Sequence, residues 1–139
     1  MGVYYPLDWP AAWPALPEPA APPLLAFVVD GQPVPKARPR VTHGHAYTPE
    51  RTRAYEQAVA WAARACMGGR DPLAGDLDVE IALYRKGKRR ADLDNLVKAV
   101  SDGCNAIVWQ DDAQIVALRS SVVYGDDAPR AVVRVRKAA

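Results

Sequence analysis

In the stretch Arg90-Ala91-Asp92-Leu93-Asp94-Asn95-Leu96-Val97-Lys98, two carboxylates lie two positions apart, an amide follows, and a lysine stands four residues beyond Asp94. A second acidic pair, Asp111-Asp112, arrives at the far end of the helix expected to start here, and Arg85, Lys86, Lys88, Arg89 and Arg90 crowd the upstream side. Gathered carboxylates repel one another unless a cation joins them. Oxygen ligands with no His or Cys partner suit Mg2+ or Mn2+, which keep several waters and complete their shell with phosphate oxygens. Such an ion can activate water and stabilise charge on a phosphodiester under attack. The pattern points to a hard metal facing a polyanion.

Local explanations account for only part of this pattern. Asp at a helix start is an ordinary cap, favoured by the positive end of the dipole. Capping explains one of Asp92 and Asp94 well and both less well. Two steps along a helix turn about 200°, so the pair converges only if Asp92 lies in the incoming loop and Asp94 near the first turn. Asp111 and Asp112 follow the helix end, where the dipole disfavours anions. Lys98, one turn after Asp94, either faces phosphate or forms a helix pair with Asp94 contributing about 0.2–0.5 kcal/mol.

The elements that must position these groups follow from periodicity. Leu24 to Val29 reads as a buried first strand, ended by the turn signal Asp30-Gly31. Pro33 to Val41 reads as an extended edge segment, its prolines excluding a central strand, with Lys36, Arg38 and Arg40 on one face. That basic edge either contacts phosphates or is charged against aggregation. Thr42-His43-Gly44-His45 reads as a turn with two surface histidines. Thr48 as N-cap and Pro49 at the first helical position open a helix to about Met67, stopped by Gly68-Gly69.

Leu77, Val79, Ile81 and Leu83 alternate with Asp78, Glu80, Ala82 and Tyr84, a half-buried strand that runs into a basic loop from Arg85 to Arg90. Leu93, Leu96, Val97, Val100, Cys104, Ile107 and Val108 form the core stripe of a helix expected over about 94–108, with Asp94, Lys98, Ser101 or Asp102, and Asn105 opposite. A turn at Trp109 to Asp112 leads to a strand from about Ala113, extending towards Tyr124, and Ala131 to Arg136 is a terminal strand. The turn Gly125-Asp126-Asp127-Ala128-Pro129 predicts that these last two strands form a hairpin. The fold class is α/β (α+β): a single domain with a mixed sheet and two principal helices.

The chain has 139 residues, half of them apolar, and a net charge of +2. That length supports one domain, and the small charge excludes a uniformly basic nucleic-acid binder without excluding a locally basic surface. Two segments are expected: a Pro/Ala/Trp-rich arm over 1–23, extended or docked through Trp9 and Trp13, and a folded domain over 24–139. Cys66 and Cys104 lack motif spacing and read as reduced thiols. No run approaches the roughly 20 apolar residues of a membrane helix, and no signal peptide is evident, so the expected setting is soluble and cytoplasmic.

Asp92-Leu93-Asp94-Asn95-Leu96-Val97-Lys98-Ala99 followed by Trp109-Gln110-Asp111-Asp112-Ala113-Gln114-Ile115-Val116 resembles the RusA family of Holliday junction resolvases. Gly31 to Arg40, Tyr47-Thr48-Pro49, Thr52 and Tyr55-Glu56 resemble the opening of its phage and prophage members, so the likeness covers about residues 25–136. The resemblance implies a homodimeric, Mg2+-dependent endonuclease that nicks four-way DNA junctions symmetrically. It implies Asp92, Asp94 and Asp112 as essential metal-binding acids, Asp111 beside them as a further metal residue, and Lys98 as catalytic lysine. Lys36, Arg38, Arg40, Lys86, Lys88, Arg89 and Arg90 are then expected to hold DNA phosphates, a sequence-independent contact. The long arm and Cys104, where a larger apolar residue is common, depart from the family pattern. Two other classes share these residues: a junction-binding architectural protein that does not cut, and a less selective metal-dependent nuclease.

Overall fold

The computed structural model describes residues 22–37, 40–47 and 49–138. All but the last two residues of the arm expected over 1–23, together with Arg38 and Thr48, the expected N-cap, lie outside the described residues, and Arg40 is described in its backbone alone.

Strand β1 (Leu25–Asp30) alternates, burying Leu25, Phe27 and Val29 while Leu24 and Val28 stay exposed, so the apolar run is half buried rather than wholly so. The chain then runs extended, without a ladder, through residues 32–37. It is held by single bonds from Lys36 N–H to the Asn95 carbonyl (2.8 Å) and from Ala37 N–H to Thr52 Oγ1 (3.3 Å). The segment read as extended along an edge is thus unpaired over these residues. Pro33 and Pro35 have no N–H to give a ladder, and pairing begins only with the short hairpin of β2 (Arg40–Thr42) and β3 (His45–Tyr47), which turns at the exposed His43 and Gly44.

Helix α1 (Glu50–Met67) starts one residue later than expected. Pro49 occupies the cap position with extended dihedrals, and its carbonyl accepts Arg53 N–H at 3.1 Å. Thr52, Tyr55, Val59, Ala63 and Met67 form its buried face, and Gly68, in the left-handed region at φ 59°, ends it.

β4 (Leu77–Arg85) is the centre of the core: Leu77, Val79, Ile81 and Leu83 are all at 0 % exposure. Helix α2 (Leu93–Cys104) then crosses back, packs against α1 and reaches β5 (Ile115–Tyr124), which pairs with β4 in parallel. Where α1 meets α2, a Cβ on Gly103 would stand 2.7 Å from Val59 Cβ and 2.9 Å from the Glu56 carbonyl oxygen, so only glycine permits this approach.

Two expectations are corrected here. The second helix ends at Cys104 rather than near 108. Trp109 is wholly buried, donates its indole N–H to Asn105 Oδ1 at 2.8 Å and accepts Ala106 N–H on its carbonyl at 2.7 Å. Burying that ring turns the backbone through Ala106, at φ 66°, which no helix continues through. The last two strands also form no hairpin. β6 (Arg130–Lys137) lies between β1 and β4, antiparallel to both, giving the order β1-β6-β4-β5.

The loop from Tyr124 to Arg130 therefore steps over the end of β4, a span of roughly 10 Å that five residues cover easily. Gly125 N–H to the Gly87 carbonyl (2.7 Å) and Asp126 N–H to the Arg85 carbonyl (3.0 Å) fasten it there. The result is a single mixed-sheet domain of α+β class with its two helices packed on one another. Among the described residues no helix is long and apolar enough to cross a membrane.

Candidate active site

Asp92 and Asp94 stand where the loop after β4 becomes α2. Asp92 takes the cap position with extended dihedrals (φ −67°, ψ 125°), and its carbonyl accepts Leu96 N–H at 3.1 Å. Its carboxylate makes no capping bond, although Asp is among the best capping residues. Oδ2 instead receives Asn95 Nδ2 at 3.3 Å, while Asp94 Oδ1 accepts the Asn95 backbone N–H at 2.9 Å. Both acids are exposed at the positive end of the helix dipole, which offsets part of their repulsion. The loop-then-turn placement expected from the sequence is the one adopted.

Lys98, one turn further on, joins neither of them in an ion pair. Its Nζ lies 2.9 Å from Asp102 Oδ1 and 3.1 Å from Asp112 Oδ2. Asp102 Oδ2 also takes Lys36 Nζ at 3.2 Å, and Lys36 reaches on to Glu56 Oε1 at 2.5 Å. An alternating ladder Glu56–Lys36–Asp102–Lys98–Asp112 thus ties α1, the extended segment and α2 to the turn before β5. The bonds to Asp102 and Asp112 hold the Lys98 ammonium above the ordinary lysine value, with burial opposing. Burial is the largest influence on Lys36 and acts downward, yet Glu56 and Asp102 together outweigh it and its pKa is raised. Both lysines are therefore charged at neutral pH.

The two acids before β5 differ in what binds them. Asp111 caps a 3-10 turn (Asp112–Gln114): its Oδ1 accepts Ala113 N–H at 2.9 Å, and Gln114 Oε1 accepts Gln110 N–H at 2.9 Å. Gln114 Nε2 anchors that turn on the Leu73 and Gly75 carbonyls at 2.8 and 2.9 Å. The Ala113 bond first, and neighbouring Asp112 second, hold the Asp111 carboxyl below its usual value. Asp112 instead faces Lys98. A groove of about 600 Å³ separates α2 from β5, with Asp94, Lys98 and Asp112 on its wall and Leu93, Val97, Ile115 and Leu118 as its apolar lining.

The basic residues divide in the same way. Lys86, Lys88, Arg89 and Arg90 are exposed. Arg85, read from the sequence as the first residue of the basic loop, is instead the buried end of β4, donating from Nε to the Pro33 carbonyl (3.3 Å) and from Nη1 to the Arg89 carbonyl (3.0 Å). Lys36 is directed inward by its ladder. Arg90 lies over the Tyr124 ring, 4.8 Å from its centroid, and Tyr124 Oη bonds both to Ala91 N–H (3.1 Å) and to the Ala91 carbonyl (3.0 Å). Sequence reading passed over Tyr124, which carries no local signal, and gave Asp102 no partner, although its spacing of four from Lys98 was visible.

The donor chemistry fits a hard divalent cation. Asp92, Asp94 and Asp112 offer exposed or half-exposed carboxylate oxygens with no nitrogen or sulfur competitor. Among the described residues, no three Asp, Glu, His or Cys side chains are grouped closely enough to hold an ion in this arrangement, and Asp112 is occupied by Lys98. Binding thus calls for side-chain rotation and an exchange at Asp112.

Comparison with known proteins places these residues in context. Residues 30–136 match the family described as Endodeoxyribonuclease RusA. The chain is also 29 % identical over 138 residues to a Bacillus subtilis (strain 168) protein described as Uncharacterized protein YqaN, covering 81 % of this chain and 96 % of that one.

Proposed function

The chain belongs to the RusA endodeoxyribonuclease family, and from that premise we propose that it resolves four-way DNA junctions by paired, Mg2+-dependent nicks. The observation that carries this reading is the Lys98–Asp112 pair on the groove wall shared with Asp94, next to an Asp92 whose carboxylate is not used as a cap. Asp92, Asp94 and Asp112 would hold the ion, with Mn2+ a possible substitute. When bound, that ion supplies an activated water and charge stabilisation at the scissile phosphate.

The chain's own groups do the rest. Lys98, held cationic by Asp102, places positive charge beside the phosphate, where charge develops as the phosphodiester is attacked. If metal takes Asp112, Asp102 retains the ammonium. Lys86, Lys88, Arg89 and Arg90 grip backbone phosphates upstream of α2, a contact that is independent of sequence and screened by salt. Two opposed strands must be cut and one groove serves one of them, so the active form is a homodimer. β5 lies at an open edge of the sheet, and its outer side is where a second copy could be received.

The test uses a synthetic four-way junction and a linear duplex of the same sequence, each with Mg2+ or with chelator. Paired nicks on the junction alone, abolished in Asp92→Asn while junction binding persists, are expected. Binding without cleavage in Mg2+ and in Mn2+ would mean an architectural protein. Equal cutting of the linear duplex would mean a nuclease without junction selectivity.

A further inference from the structure

We infer that Tyr124 is a positioning residue, one that sets the direction of the Asp92 carboxylate and supports the Arg90 guanidinium. This rests on the reading of Asp92 as a metal-binding acid and goes beyond it, since neither the motif nor its chemistry involves the end of β5. Residues 86–92 have no regular secondary structure and carry four exposed cations, Lys86, Lys88, Arg89 and Arg90, whose mutual repulsion favours an open loop. The backbone is tethered at Lys86 by Gln32 (2.8 and 3.3 Å), at Gly87 by Gly125 (2.7 Å) and at Arg89 by Arg85 (3.0 Å). Asp92 itself is bonded on the helix side, through its carbonyl to Leu96 N–H and through Oδ2 to Asn95 Nδ2. On the loop side the tether nearest to it is Tyr124.

Its geometry is specific. One phenol hydroxyl has a single hydrogen to donate and lone pairs to accept with. Tyr124 Oη uses both on one residue, accepting Ala91 N–H and donating to the Ala91 carbonyl. Those groups belong to the peptide units on either side of Ala91, so both planes are held against β5. The second of those planes carries the Asp92 nitrogen, and with it the direction in which the Asp92 side chain leaves the backbone. The same ring lies under Arg90, ordering a cation that would otherwise sample many rotamers. β5 starts just after the turn that bears Asp112 and ends at Tyr124, so a single strand is tied to both acidic arms of the site.

The experiment compares the full-length wild type with Tyr124→Phe, which keeps the ring and removes the hydroxyl, and with Tyr124→Leu, which removes both. In Tyr124→Phe, kcat on the four-way junction is expected to fall about tenfold, since misplacement near 1 Å can cost about 100-fold. The Mg2+ concentration for half-maximal rate should rise several-fold, with melting temperature and chelator-phase junction affinity little changed. Tyr124→Leu should add a loss of junction affinity through Arg90. Unchanged kcat and Mg2+ dependence in Tyr124→Phe would overturn the proposal, as would a rate loss that only tracks a lower melting temperature. If the wild type itself does not cut, the nuclease reading fails first, and the two failures are told apart by that control.

Discussion

Lys98 Nζ lies 3.1 Å from Asp112 Oδ2, a contact between the middle of α2 and the turn that enters β5. Fourteen residues separate the partners, and the helix pairing available to Lys98 with Asp94 is not the one made. Lys98→Ala is expected to reduce cleavage at least 100-fold, in the range lost with a group that stabilises developing charge. Stability should hardly change, because the lysine side chain is 52 % exposed and surface pairs contribute about 0–1 kcal/mol. Single-turnover cleavage and denaturant unfolding on the same preparation separate the two effects.

Asp111 and Asp112 should part company on substitution. Asn caps as well as Asp, and Asp111 spends its carboxylate on Ala113 N–H. Asp111→Asn is therefore expected to keep cleavage within a few-fold of wild type, whereas Asp112→Asn removes it. Loss of cleavage in a well-folded Asp111→Asn would assign Asp111 to the ion as well.

Gly103→Ala sets helix propensity against packing. Alanine gains about 1 kcal/mol in a helix interior, but its Cβ would stand 2.7 Å from Val59 Cβ. Overpacking of this kind costs about 1–3 kcal/mol, and the nearby Glu56 carbonyl at 2.9 Å leaves little room to relax. A net fall in melting temperature of several degrees is expected in calorimetry, with cleavage weakened at higher temperature first.

Alkaline pH should destabilise the fold. Burial pushes the Cys104 thiol up to about 12 from an ordinary 9.0, raises the Tyr55 phenol from 10.0, and carboxylate partners raise Lys36 and Lys98 from 10.5. A group whose folded pKa is raised contributes stability that is complete below its unfolded pKa and is lost as pH climbs to the folded one. Stability is thus expected to be flat up to about pH 9 on account of these groups, then to fall as pH rises further. At pH 8, Cys104 should resist a thiol reagent until denaturant is added, as labelling followed by mass spectrometry would show.

How much of this could be read from the chain alone differs from residue to residue. The alternation of Leu77, Val79, Ile81 and Leu83 marked the buried face of β4, and the stripe from Leu93 to Cys104 marked that of α2. Periodicity of this kind is a local record of which side meets the core. The candidate acids Asp92, Asp94 and Asp112 and the candidate lysine Lys98 could be picked out just as locally, because side-chain type and spacing travel with the sequence.

Strand order was not legible in that way. The turn at 125–129 reads identically whether β6 lies beside β5 or beyond β4, and only the packing of the whole sheet chooses between them. Nor did spacing disclose which carboxylate Lys98 would take, that Lys36 would turn inward to Asp102, or that Asp111 would be consumed by a cap. Tyr124 is the clearest case. Its hydroxyl meets Ala91 across 33 residues, a contact with no local signature, since it exists only once β4, α2 and β5 have closed around it. Sequence specified which groups were available for chemistry. Tertiary structure decided which stand free and which are held, because those outcomes depend on distances that no local pattern encodes.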